Sequence, residues 1–186
     1  KTTDDGSAVD TVKEIQDLLN SANALLPTPT GTGVTLISAY AEANSATETT
    51  PALGAYTTAG VSGVDAGNLL SINSALNTLS VDGQAVDTTG EIQAVVNAYQ
   101  AILNAADGTR DSDAKPTAQQ YAAIGVVGMD TPSELGLLGD VIDAKAKGDV
   151  DTVPEVQALA DAVAAVMKGA AGGTAPTLEQ LQELGL

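Results

Sequence analysis

The chain has 186 residues, 24 of them acidic and 7 basic, for a net charge of −17, and it contains no Cys, His, Phe or Trp. Without Cys and His it can build no Ser-His or Cys-His nucleophile, no disulfide and no thiolate or imidazole zinc site. The negative field repels polyanions, so neither nucleic acid nor an anionic membrane is an expected partner.

Read from the start, Lys1-Thr-Thr-Asp-Asp5 lacks the basic and apolar regions of a signal peptide. Thr11-Val-Lys-Glu14 fits the capping box, in which a Thr hydroxyl and a Glu carboxylate satisfy backbone N–H groups reciprocally. Ile15, Leu18, Leu19, Ala22, Leu25 and Leu26 follow at spacings of three and four, predicting a helix over about 8–26. Pro27-Thr-Pro-Thr-Gly-Thr-Gly33 reads as a linker. Residues 34–44 form a candidate extra helix with Leu36, Ile37 and Tyr40 facing inward.

Pro51 opens a phrase that returns twice. Pro51-Ala-Leu-Gly-Ala-Tyr56-Thr-Thr-Ala-Gly60-Val61 matches Pro116-Thr-Ala-Gln-Gln-Tyr121-Ala-Ala-Ile-Gly125-Val126, and then Pro176-Thr-Leu-Glu-Gln-Leu181-Gln-Glu-Leu-Gly185-Leu186. Each copy predicts a short helix, over about 118–124 in the second. It is stopped by a left-handed Gly and an apolar residue that together form a Schellman cap. The first copy has Ala52 where the others have a capping Thr, and Ala66-Gly67-Asn68 weakens the start of its second helix. In the second copy Thr131-Pro132-Ser-Glu134 opens that helix, Leu135, Leu138, Val141 and Ile142 mark its buried face, and the stretch around Gly148 ends it.

A third helix is opened by Thr88-Thr-Gly-Glu91 and by Thr152-Val-Pro-Glu155, two further copies of the Thr11 phrase. The inward face reads Ile92, Val95, Val96, Tyr99, Ile102, Leu103 in one copy and Val156, Leu159, Val163, Val166 in the next. A helix of roughly 17 residues is about 25 Å long. The apolar stretch from Ala158 to Met167 is interrupted by Asp161 and falls short of the ~18 residues a membrane span requires, so no membrane insertion is expected.

Self-similarity at this period marks a tandem array of supersecondary units. The expected fold class is all-α: small three-helix-bundle repeats in an elongated array. The expected boundaries are 1–50 for a partial preceding repeat (its third helix) plus linker and extra helix, 51–115 and 116–175 for two repeat units, and 176–186 for the first helix of a following unit. The chain begins just before one phrase and stops inside another, as a section of a longer array would. Each core is thin, so neighbouring repeats of the same chain are the first expected partners.

Candidate sites are few. Asp107-Gly-Thr-Arg-Asp111-Ser-Asp113 clusters carboxylates in a loop, the ligand type calcium takes. The spacing does not match an EF-hand and its glutamate is absent, so an acidic solvated loop is the first reading and calcium the alternative. Asp4, Asp5 and Asp10 form a weaker version, and Asp143, Asp149 and Asp151 surround another loop. Tyr40, Tyr56, Tyr99 and Tyr121 suit core packing better than glycan stacking. Gln16, Gln93 and Gln157 recur beside the third-helix start, where hydrogen bonding between elements accounts for them. No catalytic, cofactor or metal residue is assigned, and an enzyme is not expected.

The run Pro-Thr-x-x-x-Tyr-x-x-x-Gly-Val-x-Gly-Met-Asp (116–130), followed by Val-Asp-Thr-x-x-Glu-Val-Gln-Ala-Leu (150–159), resembles the tandem helical repeats of giant biofilm-associated and RTX-type bacterial surface adhesins. The resemblance covers about three quarters of the chain and is weakest over 27–50. It implies secretion to the cell surface, calcium elsewhere in the protein, and a spacer or stalk role in adhesion or biofilm formation. The alternative is a binding module whose helical surface contacts a host or matrix protein, a glycan or another copy of itself.

Overall fold

The computed structural model describes residues 33–44, 48–110 and 114–186. The chain divides into two units, 1–32 and 33–186, and every described residue belongs to the second. The helix expected over 8–26, its Thr11–Glu14 box and Gln16, most of the 27–33 linker, and Asp111 and Asp113 of the acidic loop lie outside the described residues.

The described residues form eight α-helices: α1 Gly33–Ala43, α2 Leu53–Thr58, α3 Leu69–Leu76, α4 Thr89–Ala105, α5 Ala118–Ala123, α6 Pro132–Asp143, α7 Val153–Ala170 and α8 Leu178–Glu183. Two 3₁₀ turns, Gly83–Val86 and Lys147–Asp149, precede α4 and α7. The β pairing among the described residues is one isolated antiparallel bridge, Asp107 with Ala146. The protein is thus all-α over the described residues, and none of these helices is long and apolar enough to cross a membrane.

Local chemistry sets the helix starts. Complete capping boxes stand at Thr88–Glu91, Thr117–Gln120, Thr131–Glu134 and Thr177–Gln180. At Thr152 the Glu155 carboxylate accepts from the backbone N–H at 2.9 Å and from the hydroxyl at 2.8 Å. Such caps each contribute about 1 kcal/mol. As Ala52 foretells, α2 begins without a side-chain cap. At the weak start of α3, Asp65 Oδ1 accepts from the Gly67 and Asn68 amides, and Asn68 Oδ1 accepts from the Asp65 amide. A side-chain knot thereby replaces the capping box.

The short helices stop as expected. Val61, Val126 and Leu186 donate their amides to the carbonyls of Tyr56, Tyr121 and Leu181, and the intervening Gly60, Gly125 and Gly185 have φ of +75°, +89° and +78°. The six-to-one bond across a left-handed Gly is the Schellman motif. Two expectations need correction. Leu36 is 41% exposed, and α1 instead buries Ile37, Tyr40 and Ala41. An 11-residue helix with inward positions 37, 40 and 41 turns position 36 toward solvent. The second helix ends at Asp143 rather than near Gly148, which lies in the 3₁₀ turn where Asp149 Oδ2 accepts from the Ala146 amide at 3.0 Å.

Packing repeats as well. The long helices α4 and α7 each lie on the short helix that follows them, α5 and α8, and α1 lies on α2 in the same way. Further, α3 packs on α4 as α6 packs on α7. Close approach of α1 to α2 is permitted by Gly33, where a Cβ would stand 1.9 Å from the Ala55 carbonyl oxygen. The inward faces form one cluster in which Tyr56, Tyr99, Tyr121, Ile72, Ile92, Ile102, Leu138 and Ile142 are almost fully enclosed. Enclosing a large apolar side chain stabilises by roughly 1.5–3 kcal/mol.

Candidate functional site: helix corners and acidic loops

The corners after α2 and α5 are each fastened by a glutamine. Ser62 donates its amide to Gln93 Oε1 at 2.9 Å, and Gln93 Nε2 donates to the Ser62 carbonyl at 3.1 Å and to Asn97 Oδ1 at 2.9 Å. At the corner after α5, Val127 donates to Gln157 Oε1 at 2.9 Å, and Gln157 Nε2 donates to the Val127 carbonyl at 3.1 Å and to Asp161 Oδ1 at 2.8 Å. A side-chain amide here pairs with a peptide group and ties α4 or α7 to the corner of the preceding short helix. The first corner has a second tie, from Gln100 Nε2 to the Gly63 carbonyl at 2.6 Å. These glutamines use their polar atoms on the protein itself, which agrees with the inter-element role read from their spacing.

The tyrosines are interior. Tyr56, Tyr99 and Tyr121 are at most 1% exposed and Tyr40 is 7% exposed, so none presents a face on which a sugar ring could stack. Burial pushes the hydroxyls of Tyr56, Tyr99 and Tyr121 well above the usual phenol range. Their polar ends differ. Tyr56 donates to Asn73 Oδ1 at 2.5 Å, and Asn73 Nδ2 donates on to the Pro51 carbonyl. Tyr99 donates to the Val150 carbonyl at 3.2 Å, whereas the Tyr121 hydroxyl has no partner among the described residues.

In the acidic loop, Asp107 Oδ1 accepts from the Thr109 amide at 2.8 Å and the Thr109 hydroxyl at 2.6 Å, which holds the Asp107 carboxyl below its usual range. That is a local Asx turn. The structure does not bring Asp143, Asp149 and Asp151 together with other acids into a metal-sized group, and no such group occurs among the described residues. Asp149 caps its 3₁₀ turn. Asp151 is raised by burial and by the neighbouring Glu155 and Asp149 charges. At the caps, the Thr88 and Thr131 hydroxyls lower the carboxyls of Glu91 and Glu134. Asp87 is raised by its hydrogen bond to Glu91 and by that residue's charge.

Of the clefts that escaped the sequence reading, two bear on function. One, of about 310 Å³, lies where α3, α5 and α7 meet and is lined by Ser74, Leu79, Gly125, Val153 and Gln157. Leu79 is 94% exposed at its edge. The other, of about 360 Å³, lies between α6, α7 and the corner after α8, with Leu137, Val141, Val166 and Leu184 as its apolar walls. No periodic motif announces either: the first is assembled from helices far apart in sequence, and the second depends on how three successive helices pack. Comparison with protein-family models, with curated proteins and with solved structures found no match.

Proposed function

We propose that the chain is a spacer section of a secreted bacterial cell-surface adhesin, built from tandem three-helix repeats that extend a distal binding region from the cell. The observation that carries this reading is the repetition of a corner: after both α2 and α5 a left-handed Gly, an apolar lock and a glutamine tie recur with the same donors and acceptors. A catalytic or ligand site concentrates unusual chemistry at one place. Here the polar side chains at equivalent places hold helix ends and corners, the arrangement a scaffold of repeated parts requires. Its acidity keeps an Ala-rich surface soluble.

The test is a deletion of Pro116–Ala175 in the displayed adhesin. A spacer loses reach while the distal region still recognises its ligand. Loss of recognition with surface display intact decides for the alternative, a binding module that contacts a host protein, a glycan or another copy through its helical face. The cleft beside Leu79 favours that second reading, being an apolar edge on an otherwise acidic protein.

A further inference from the structure

The cleft between α6, α7 and α8 is the open form of a junction that is closed one repeat earlier. The two Thr caps set Val166 and Met167 of α7 equivalent to Ile102 and Leu103 of α4. Ile102 and Leu103 are 0% and 7% exposed, whereas Val166 and Met167 are only partly buried. Ala106, at the end of α4, is fully enclosed; its equivalent, Ala170, is exposed. The first halves of the two helices do not differ in this way, since Val156, Leu159, Ala160, Ala162 and Val163 are as buried as their equivalents in α4. The difference is confined to one end of one helix.

What covers that end of α4 is part of the same chain. Helix α6 packs on α4, Tyr99 of α4 donates to the Val150 carbonyl beyond α6, and Asp107 just past α4 pairs with Ala146. A helix and its trailing 3₁₀ turn together close the junction. Against α7, no helix among the described residues takes the place that α6 takes against α4.

We infer that the α6–α7–α8 cleft is the docking seat for the second helix and 3₁₀ turn of a further repeat: an amphipathic helix opened by a Thr-Pro-x-Glu box, as α6 is. The seat is continuous with the α6–α7 and α7–α8 interfaces; Leu137, Val141, Val166 and Leu184 give it apolar walls for the Leu and Val face of the incoming helix, and Arg110, Asp140 and Asp143 also line it. The inference rests on the tandem-repeat reading and deepens it by naming the surface through which one repeat holds the next.

A copy of residues 127–151 appended after Leu186 supplies the missing part in the register that α6 has after Val126. Hydrogen exchange of the 163–170 amides should slow by about tenfold or more on extension. Val166→Asp, and separately the milder Met167→Gln, should erase that slowing in the extended chain. Unchanged exchange overturns the inference, as does equal slowing from an appended segment of the same composition in scrambled order. Sedimentation equilibrium of the unextended chain supplies a further arm: a dimer dissociated by Val166→Asp would give the seat to a second copy and overturn the inference too. The spacer reading itself stands or falls on the surface-display deletion, so the two failures are distinguishable.

Discussion

Gly60 and Gly125 hold the same place in two corners, and the sequence treats them alike. The structure separates them. Both have a left-handed φ, which costs an L-residue roughly 1–2 kcal/mol. A Cβ at Gly60 would come no nearer than 3.7 Å to Thr89, but at Gly125 it would stand 2.3 Å from Thr78 Oγ1 and 2.9 Å from Thr78 Cβ. Thr78 cannot yield freely, because its hydroxyl donates to the Ala75 carbonyl. Gly125→Val should therefore destabilise by about 1 kcal/mol more than Gly60→Val, through overpacking added to strain. Urea midpoints of the two variants check it, and equal losses would remove Thr78 from the account. The tyrosines divide similarly. Tyr56→Phe breaks a buried bond and leaves Asn73 Oδ1 without its donor, a loss of about 1–2 kcal/mol, whereas Tyr121→Phe removes a hydroxyl that has no partner and should be neutral or slightly stabilising. A loss in Tyr121→Phe as large as that in Tyr56→Phe would sink the assignment. The pattern Pro-x-x-x-x-Tyr-x-x-x-Gly placed both rings in the core. It could not show their partners, because Asn73 stands where the burial pattern of α6 has Gly139.

At the scale of elements, the starts and stops were legible because each is a short-range event. A Thr and a Glu or Gln three residues apart complete their bonds within one turn, and a left-handed Gly closes the end. Helix α1 was legible only in part. A helix was expected over 34–44 and is found at 33–43, but it carries no Thr-x-x-Glu box, so nothing in the sequence relates it to α4 and α7, although it lies on α2 as they lie on α5 and α8. The outward turn of Leu36 was equally hidden: apolar residues at 34, 36, 37 and 40 allow more than one inward face, and tertiary contact chose among them. The caps also carry a proton-linked term. Glu134 is held below its ordinary value of 4.5, so its capping contribution is complete above that pH and is lost as pH falls through the lowered value. Asp151 acts in the opposite direction. It is raised from 3.8, so acid relieves rather than weakens its site. Glu134→Gln keeps a box of the kind Gln120 and Gln180 already make, and removes the titration. The variant should match the parent at neutral pH and lose less of its melting temperature below pH 4.5. Identical acid slopes would show that the cap does not report on this carboxylate.

For the molecule as a whole, the sequence period predicted which parts are interchangeable, and that is testable without knowing any ligand. Among the described residues the helix caps are made by Thr, Glu and Gln side chains, no group of acids is metal-sized, and Asp107 Oδ1 accepts from Thr109. Melting in millimolar calcium and in chelator should therefore agree. A site occupied at a hundredfold excess over its Kd would add about 2.7 kcal/mol, a shift of several degrees. Such a shift, abolished by Asp111→Asn, would make the 107–113 loop a calcium site after all. The stronger test is removal of residues 116–175. The new junction joins Lys115 to Pro176, so the Thr177–Gln180 box replaces Thr117–Gln120, Gly185 replaces Gly125, and α8 arrives where α5 lay against α4. The shortened chain gives up real contacts: the cover of α6 on α4, the Tyr99–Val150 bond and the bond from the Val153 amide to Ser74 Oγ. It also puts Leu181 where Tyr121 was, which brings no unpaired hydroxyl into the core. If the period expresses true structural equivalence, the product should keep its helical far-UV spectrum and melt in one cooperative transition, at a lower temperature than the parent. A product without cooperative melting would mean that α5 and α8 share a sequence phrase but not a seat, and the tandem reading would lose its physical basis.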